Sequence, residues 1–356
     1  MLYLIQSVST TQTNSIMKTG QVTIKDIAKH LNISIATVSR ALRDLPDIRP
    51  KTKKAVLDLA AEWDYEPNQV ALSLVKSRTK TIGVIVPNMG YHFFATAVNG
   101  IEEEAILNGY SVLVTQSRES YLRELTNIQD LARGQVDGFI VSVSRETSNY
   151  DHFSKLIRRG IPLVFFDRDI ENLDVSKVVI DNVLASKKAV QHLIESGCKR
   201  IAILAGPAFL GLTEQRLEGY KQALRANEIS VDESLIVHGD YSHENSIYLT
   251  NQLLDLANPP DGIFAVSDRL AVGAMVAIRK KGLRMPQDVS IVGFNDEPIA
   301  SYMTPTLTSV AQPTEEIGRI ATRLLINQLN NKNEVFLPQK IVVDTELILR
   351  ETSYKK

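Results

Sequence analysis

The sequence predicts a small all-α helix-turn-helix unit followed by a two-lobed α/β body with parallel sheets. Three observations carry this. Residues Val22 to Leu42, VTIKDIAKHLNISIATVSRAL, read as two short amphipathic helices joined by a tight turn. From Lys80 onward, short apolar runs alternate with helical stretches, the pattern of buried parallel strands covered by helices. The charge is also uneven: Lys18 to Lys80 holds 12 basic and 7 acidic residues, whereas the whole chain has a formal net charge of −1. A cationic end on a near-neutral body suits contact with a phosphate backbone, although a charge run is more often only a solvated face.

Each helix of the first unit has its own signal. Ile24, Ile27, Ala28 and Leu31 fall at i, i+3, i+4 and i+7, with Thr23 as N-cap and Asp26 completing a capping-box-like pair. The stripe stops at Leu31-Asn32-Ile33. Ser34 caps a second helix from Ile35 to about Arg43; Val38, Ala41 and Leu42 turn toward the first helix, and Ile35, Ala36, Ser39 and Arg40 turn outward. A third helix runs from about Lys51 to Asp64, with Val56, Leu59, Ala60 and Trp63 on one face and Pro50 in its first turn. By pattern alone this is either a DNA-reading unit or a helical corner of an enzyme.

In the body, the strand candidates are Ile82–Val86, Val112–Thr115, Phe139–Val143, Leu163–Phe166, Val178–Ile180, Ile201–Ala205, Ile236–His238, Ile263–Val266 and Ile291–Phe294. Helices lie between them, among them Ala95–Asn108, Ala185–Ser196, Glu214–Asn227 and Leu270–Lys281, with Gly109, Gly160, Gly197 and Gly282 placed as C-caps. Asp137-Gly138 and Asp261-Gly262 each precede a buried strand that ends in serine, a faint internal echo expected of two similar lobes. Ligands of open α/β sheets sit past the carboxyl ends of the strands, so two such lobes facing each other would form a cleft.

Composition excludes several classes. No run is long enough for a membrane helix, and the only cysteine, Cys198, allows neither an intrachain disulfide nor a cysteine metal cage; both suit a reducing cytoplasm. There is no P-loop, no GxSxG elbow and no HExxH, and the six histidines have no metal spacing, so no catalytic residue, metal or cofactor is expected. His92, next to two phenylalanines, is a candidate for lining a cleft. Residues 1–20 read as a disordered extension without a secretory n-region, and Met17 is a candidate start.

The motifs VTIKDIA, ATVSRAL, YEPN (65–68), TIGVIVP (81–87), VDGFI (136–140), RLEGYKQAL (216–224), SDRLAVGAM (267–275) and VGFNDEPIASYMTPTLTSV (292–310), in this order, resemble the lactose/galactose repressor (LacI/GalR) family of bacterial transcription regulators. The resemblance runs from about Val22 to the C-terminus. It implies a headpiece (21–67), a hinge (68–79) and a periplasmic-binding-protein-like body (80–356), with lobe 1 at about 80–180 and 311–340 and lobe 2 at about 181–310 and 341–356. It implies a homodimer on palindromic double-stranded operator DNA, acting as a repressor, with a small carbohydrate-like effector in the interlobe cleft. The residue types leave two alternatives open, a sugar-binding protein with no DNA role and a purine- or nucleoside-responsive regulator.

Carried over by position, Ile35, Ala36 and Arg40 read base edges. Arg40 suits guanine O6 and N7, and the two apolar residues suit thymine methyls. Thr23, Ser34, Thr37 and Ser39 suit phosphates. In the hinge, Leu74 matches the leucine that wedges into the minor groove, with the small Ala71 beside it. Leu72 departs from the arginine common in relatives. The effector residues implied are Phe93, Phe94, Ser142, Arg168, Arg216, Tyr241, Asp268 and Asn295, the last standing where relatives often have aspartate. Phe93 and Phe94 also read as core, and Arg168 as a partner for Asp167 or Asp169.

Overall fold

A computed structural model describes residues 22–66, 78–168, 170, 173–208, 210–331 and 337–353. The extension at 1–20 and most of the hinge, with Ala71, Leu72 and Leu74, lie outside the described residues. The chain divides between Thr79 and Lys80 into two compact units.

The first unit contains α1 (Ile24–Leu31), α2 (Ile35–Leu42) and α3 (Pro50–Glu62). Its core is small: Ile27, Ala28, Val38, Ala41, Val56, Leu59 and Ala60 are buried, with Ile24, Leu31, Leu42 and Trp63 packed against them. Asp26 accepts from the Thr23 backbone N–H at 3.0 Å and from its hydroxyl at 2.7 Å, which ties down the start of α1. Asn32 (φ 51°) takes the left-handed conformation that ends α1 within one residue and makes the turn into α2 tight.

The described residues of the body form two six-stranded sheets. The first uses β1 (Thr81–Val86), β2 (Ser111–Gln116), β3 (Gly138–Val141), β4 (Leu163–Phe166), β5 (Ser176–Ile180) and β11 (Lys340–Val343) in the order β11-β5-β4-β3-β1-β2, all parallel. The second uses β6 (Ile201–Ala205), β7 (Ile236–His238), β8 (Gly262–Ala265), β9 (Ser290–Asn295), β10 (Thr308–Ala311) and β12 (Glu346–Ile348) in the order β12-β10-β9-β8-β6-β7, with only β12 antiparallel. The two orders match strand for strand. The Asp-Gly echo sits at equivalent places: Asp137 accepts the Lys80 N–H at 3.0 Å beside β1, and Asp261 accepts the Arg200 N–H at 2.9 Å beside β6. Central strands are apolar, β1 from Ile82 onward and β3 and β4 throughout, because helices cover both faces.

The helices are α4 (His92–Leu107), α5 (Tyr121–Leu131), α6 (Asp151–Arg158), α7 (Asn182–Glu195), α8 (Gly211–Ala226), α9 (His243–Leu254), α10 (Asp268–Lys280), the short α11 (Ile299–Tyr302) and α12 (Thr314–Asn330). The four C-cap glycines all have positive φ, from 67° to 91°. Helix α12 packs on α4 at backbone distance: a Cβ on Gly100 would collide with the Glu315 carbonyl, and one on Gly318 with the Ala97 carbonyl. Among the described residues, the chain passes between lobes three times, at β5–α7, β10–α12 and β11–β12. The last passage lies between Val343 and Glu346, a few residues beyond the expected switch at 340, because Lys340–Val343 still pairs in register with β5. Among the described residues, no helix is long and apolar enough to cross a membrane.

Candidate functional site

Two places gather the candidate residues. The first is the outer face of α2. Ser34 Oγ accepts the Thr37 N–H at 3.0 Å and lies 2.8 Å from the Thr37 hydroxyl, so both side chains set the start of the helix. With Val38 and Ala41 buried, the opposite side is left open: Ile35 (46% exposed), Ala36 and Arg40 are exposed, and Thr37 and Ser39 are half-buried. Thr23 is also exposed. Arg40 Nη1 donates to Asp47 Oδ2 at 2.7 Å.

The second is the cleft between the lobes, and its walls are built from loops past the carboxyl ends of strands. Tyr91, Phe93 and Phe94 follow β1, Glu119 follows β2, and Asp167 and Arg168 follow β4. From the other lobe, Leu212 and Arg216 follow β6, Tyr241 follows β7, Ser267 and Arg269 follow β8, Asn295 ends β9 and Glu297 follows it. An adjoining polar recess adds Ser144, Arg145, Thr147 and Tyr150 after β3, Asn182 after β5, and Gln215. The backbone is unusual at the carboxyl ends of β4 and β9: Asp167, Asn295 and Asp296 have φ of 67°, 108° and 50°, which short polar side chains tolerate.

Two arginines dominate the wall. Arg168 meets Glu119 through two bonds, Nη1–Oε2 at 2.7 Å and Nη2–Oε1 at 2.8 Å, and Nη1 also donates to the Val143 carbonyl. Glu119 is therefore the main partner; Asp167, named from sequence, lies 3.8 Å from Nε, and Asp169 lies outside the described residues. Arg216 is 3% exposed; its Nε donates to Asn182 Oδ1 at 3.0 Å, Nη1 donates to the Val266 carbonyl at 2.6 Å, and its guanidinium lies 3.6 Å over the Phe294 ring. Nη2 of Arg216 has no partner among the described residues.

Burial controls the charges here. It pulls the Arg216 guanidinium down to about 10 despite the neighbouring Tyr241, Asp167 and Asp268, and pushes the carboxyls of Asp167 and Glu297 and the phenol of Tyr241 above their usual values. Glu119 goes the other way: burial would raise it, but the bonds and charge of Arg168 hold it below the usual carboxylate range.

Six of the eight effector residues expected from sequence line the cleft: Phe93, Phe94, Arg168, Arg216, Tyr241 and Asn295. Phe93 and Phe94 are buried as well, stacked edge to face at 5.2 Å, so core and wall are the same residues. The other two stand behind the wall. Ser142 is fully buried and donates to Asp167 at 3.2 Å. Asp268 is fully buried, and its oxygens accept the Ser309 hydroxyl and the Glu297 N–H, both at 2.6 Å. His92 lines a neighbouring cavity and lies 3.2 Å from Thr96 Oγ1. Tyr91, Glu119, Asn182, Gln215, Arg269 and Glu297 were not read from the sequence; the available signal for all but Gln215, which lies within α8, was a place in the few residues past a strand end.

Asp268 gives a pH prediction. Burial raises its carboxyl to about 7 from 3.8. A folded-state value above the unfolded one adds stability in full below pH 4 and loses it as pH rises through about 7. Between pH 5 and 8 the full chain is expected to lose roughly 2–3 kcal/mol through this group, and Asp268→Asn is expected to flatten that slope in urea titrations. Equal slopes for the two proteins would refute the assignment.

A helix-turn-helix joined to a two-lobed body with a cleft is the make-up of a DNA-binding regulator. Residues 23–68 match the model of bacterial regulatory proteins of the lacI family, and residues 190–353 match a periplasmic binding protein-like domain. The chain is 37% identical over 328 residues to the HTH-type transcriptional repressor CytR of Escherichia coli (strain K12), covering 92% of this chain and 95% of that protein. It is similar to the Lac repressor dimer solved on operator with the anti-inducer ONPF (TM-score 0.83, 28% identity, 94% and 100% covered). It is also similar to the transcriptional regulator CelR solved with cellobiose (TM-score 0.71, 31% identity, 93% and 100% covered). The chain belongs to the LacI family of bacterial regulatory proteins, and it is a DNA-binding transcriptional regulator rather than an enzyme.

Proposed function

We propose that this protein is a repressor that binds a palindromic operator as a homodimer and is controlled by a small carbohydrate or carbohydrate derivative in the interlobe cleft. The observation that carries the effector reading is the convergence of Arg168, Arg216, Asn295 and Glu297 with the rings of Tyr91, Phe93, Phe94 and Tyr241 past the strand ends of both lobes. Charged and amide groups bind hydroxyls in fixed directions, and aromatic faces cover the apolar side of a sugar ring. The cellobiose bound to the similar CelR supports the same class of ligand.

The dimer reading is supported by an apolar edge of the first lobe. Ile106 and Leu107 at the end of α4, Leu113 and Val114 on the edge strand β2, and Leu122 on α5 are all exposed, and Leu107 is 80% exposed. An exposed apolar group of this kind fits a protein–protein contact. On DNA, Ile35, Ala36 and Arg40 reach bases; Thr23, Ser34, Thr37 and Ser39 meet phosphates; and Ala71 and Leu74 enter the minor groove.

Two experiments test this. Thermal melting of the full chain with sugars, sugar phosphates and nucleosides is expected to pick out a sugar, with stabilisation of about 2.7 kcal/mol at a hundredfold excess over Kd. A response to purines alone would replace the carbohydrate reading. Gel-shift titration on an operator selected from random duplexes is expected to give Arg40→Ala about 10–100-fold weaker discrimination at one base pair per half-site. Equal losses on every sequence would remove the base-contact role.

A further inference from the structure

The ion pair on the outer face of α2 is not explained by folding. Arg40 and Asp47 meet at 2.7 Å with side chains 53% and 48% exposed, and a pair so open to solvent adds little to stability. Asp47 stands in the loop between α2 and α3, three residues before Pro50. Another acid of that loop, Asp44, pairs with Lys53 instead. The contact with Asp47 uses Nη1 of Arg40, and the Nε–Nη2 edge has no partner among the described residues.

That division of the guanidinium has chemical consequences. Guanine is read by two parallel N–H donors on one edge of an arginine, aimed at O6 and N7. A carboxylate on the outer nitrogen narrows the rotamers of a long surface side chain and leaves the reading edge open. Its negative charge also opposes phosphate, so it weakens attachment to any duplex that offers no guanine in return.

We propose that Asp47 is a positioning residue for base recognition: it presents the Nε–Nη2 edge of Arg40 to a guanine and lowers affinity for non-cognate DNA. The inference rests on the reading of Arg40 as a base contact.

The test uses the full chain, an operator selected from random duplexes, the same operator with its guanine pair replaced, and an unrelated duplex. Asp47→Asn is expected to bind the unrelated duplex about 3–10-fold more tightly, with a salt slope steeper by about one, and to discriminate between the two operators about 3–10-fold less well. In an Arg40→Ala background the same substitution is expected to leave discrimination unchanged, as coupling through Arg40 requires. Asp44→Asn is expected to leave discrimination intact. Full discrimination by Asp47→Asn, alongside its loss in Arg40→Ala, would overturn the inference alone. An equal effect of Asp47→Asn with and without Arg40 would also overturn it. Discrimination retained by Arg40→Ala would overturn the base-contact reading and this inference together.

Discussion

Arg216→Ala is expected to weaken effector binding at least about 100-fold, the largest effect on binding of any single change in the cleft. Hydrogen bonds to a charged group contribute about 1.5–3 kcal/mol each, and loss of two is enough for that factor. The side chain is held in advance by Asn182, the Val266 carbonyl and the Phe294 ring, which leaves Nη2 for a ligand. Little rotamer entropy is then lost on binding. Arg216→Lys is expected to lose nearly as much, because a single ammonium cannot hold both anchors and still reach the cleft. Calorimetric titration of the full chain with the sugar identified by melting measures this. Melting without ligand separates it from damage to the fold. An Arg216→Ala protein that binds normally would remove Arg216 from the effector site.

The second large effect is on stability. Beneath the loop that lines the polar recess lies a buried cluster around Glu124. Its carboxylate accepts the Ser144 N–H at 2.6 Å and the Thr147 hydroxyl at 2.8 Å, and lies 2.9 Å from His152 Nε2; both Glu124 and His152 are buried. Glu124→Leu strips three buried polar groups of their partner at once, at a cost of about 3–5 kcal/mol. For a body of this size that corresponds to a drop of roughly 6–15 °C in Tm. Because Ser144 and Thr147 also face the recess, effector affinity is expected to fall with it. A Tm within 2 °C of wild type, by about the resolution of one kcal/mol, would mean the cluster is not the anchor of this loop.

Much of the fold is legible in the sequence because buried parallel strands are apolar on both faces. Runs such as TIGVIV and LVFF have no other reading between helical stretches, and all nine strand candidates coincide with strands of the two sheets. The strands after Phe294 are not legible for a physical reason. β10 is TSVA, and its Thr308 and Ser309 are buried only because Arg350, Thr352, Ser353 and Asp268 engage their backbone and hydroxyl groups. β11 and β12 are edge strands, half exposed, and KIVVDTELI reads as a single segment although it belongs to two sheets. The site divides in the same way. Arginines and aromatics past strand ends announce themselves, whereas the choice between facing a ligand and bracing the wall depends on packing. Asp268 is turned inward by Ser309 and the Glu297 N–H, and Ser142 by Asp167, and none of these partners is close in sequence.

The three passages of chain between the lobes carry one more consequence. Three separate straps act like the pins of a door: swinging the leaves together bends each strap a little, while sliding one leaf past the other stretches all three. Short straps resist stretching more than bending, so a swing is the motion expected of this body, and a molecule that holds both leaves is expected to bias it along that arc.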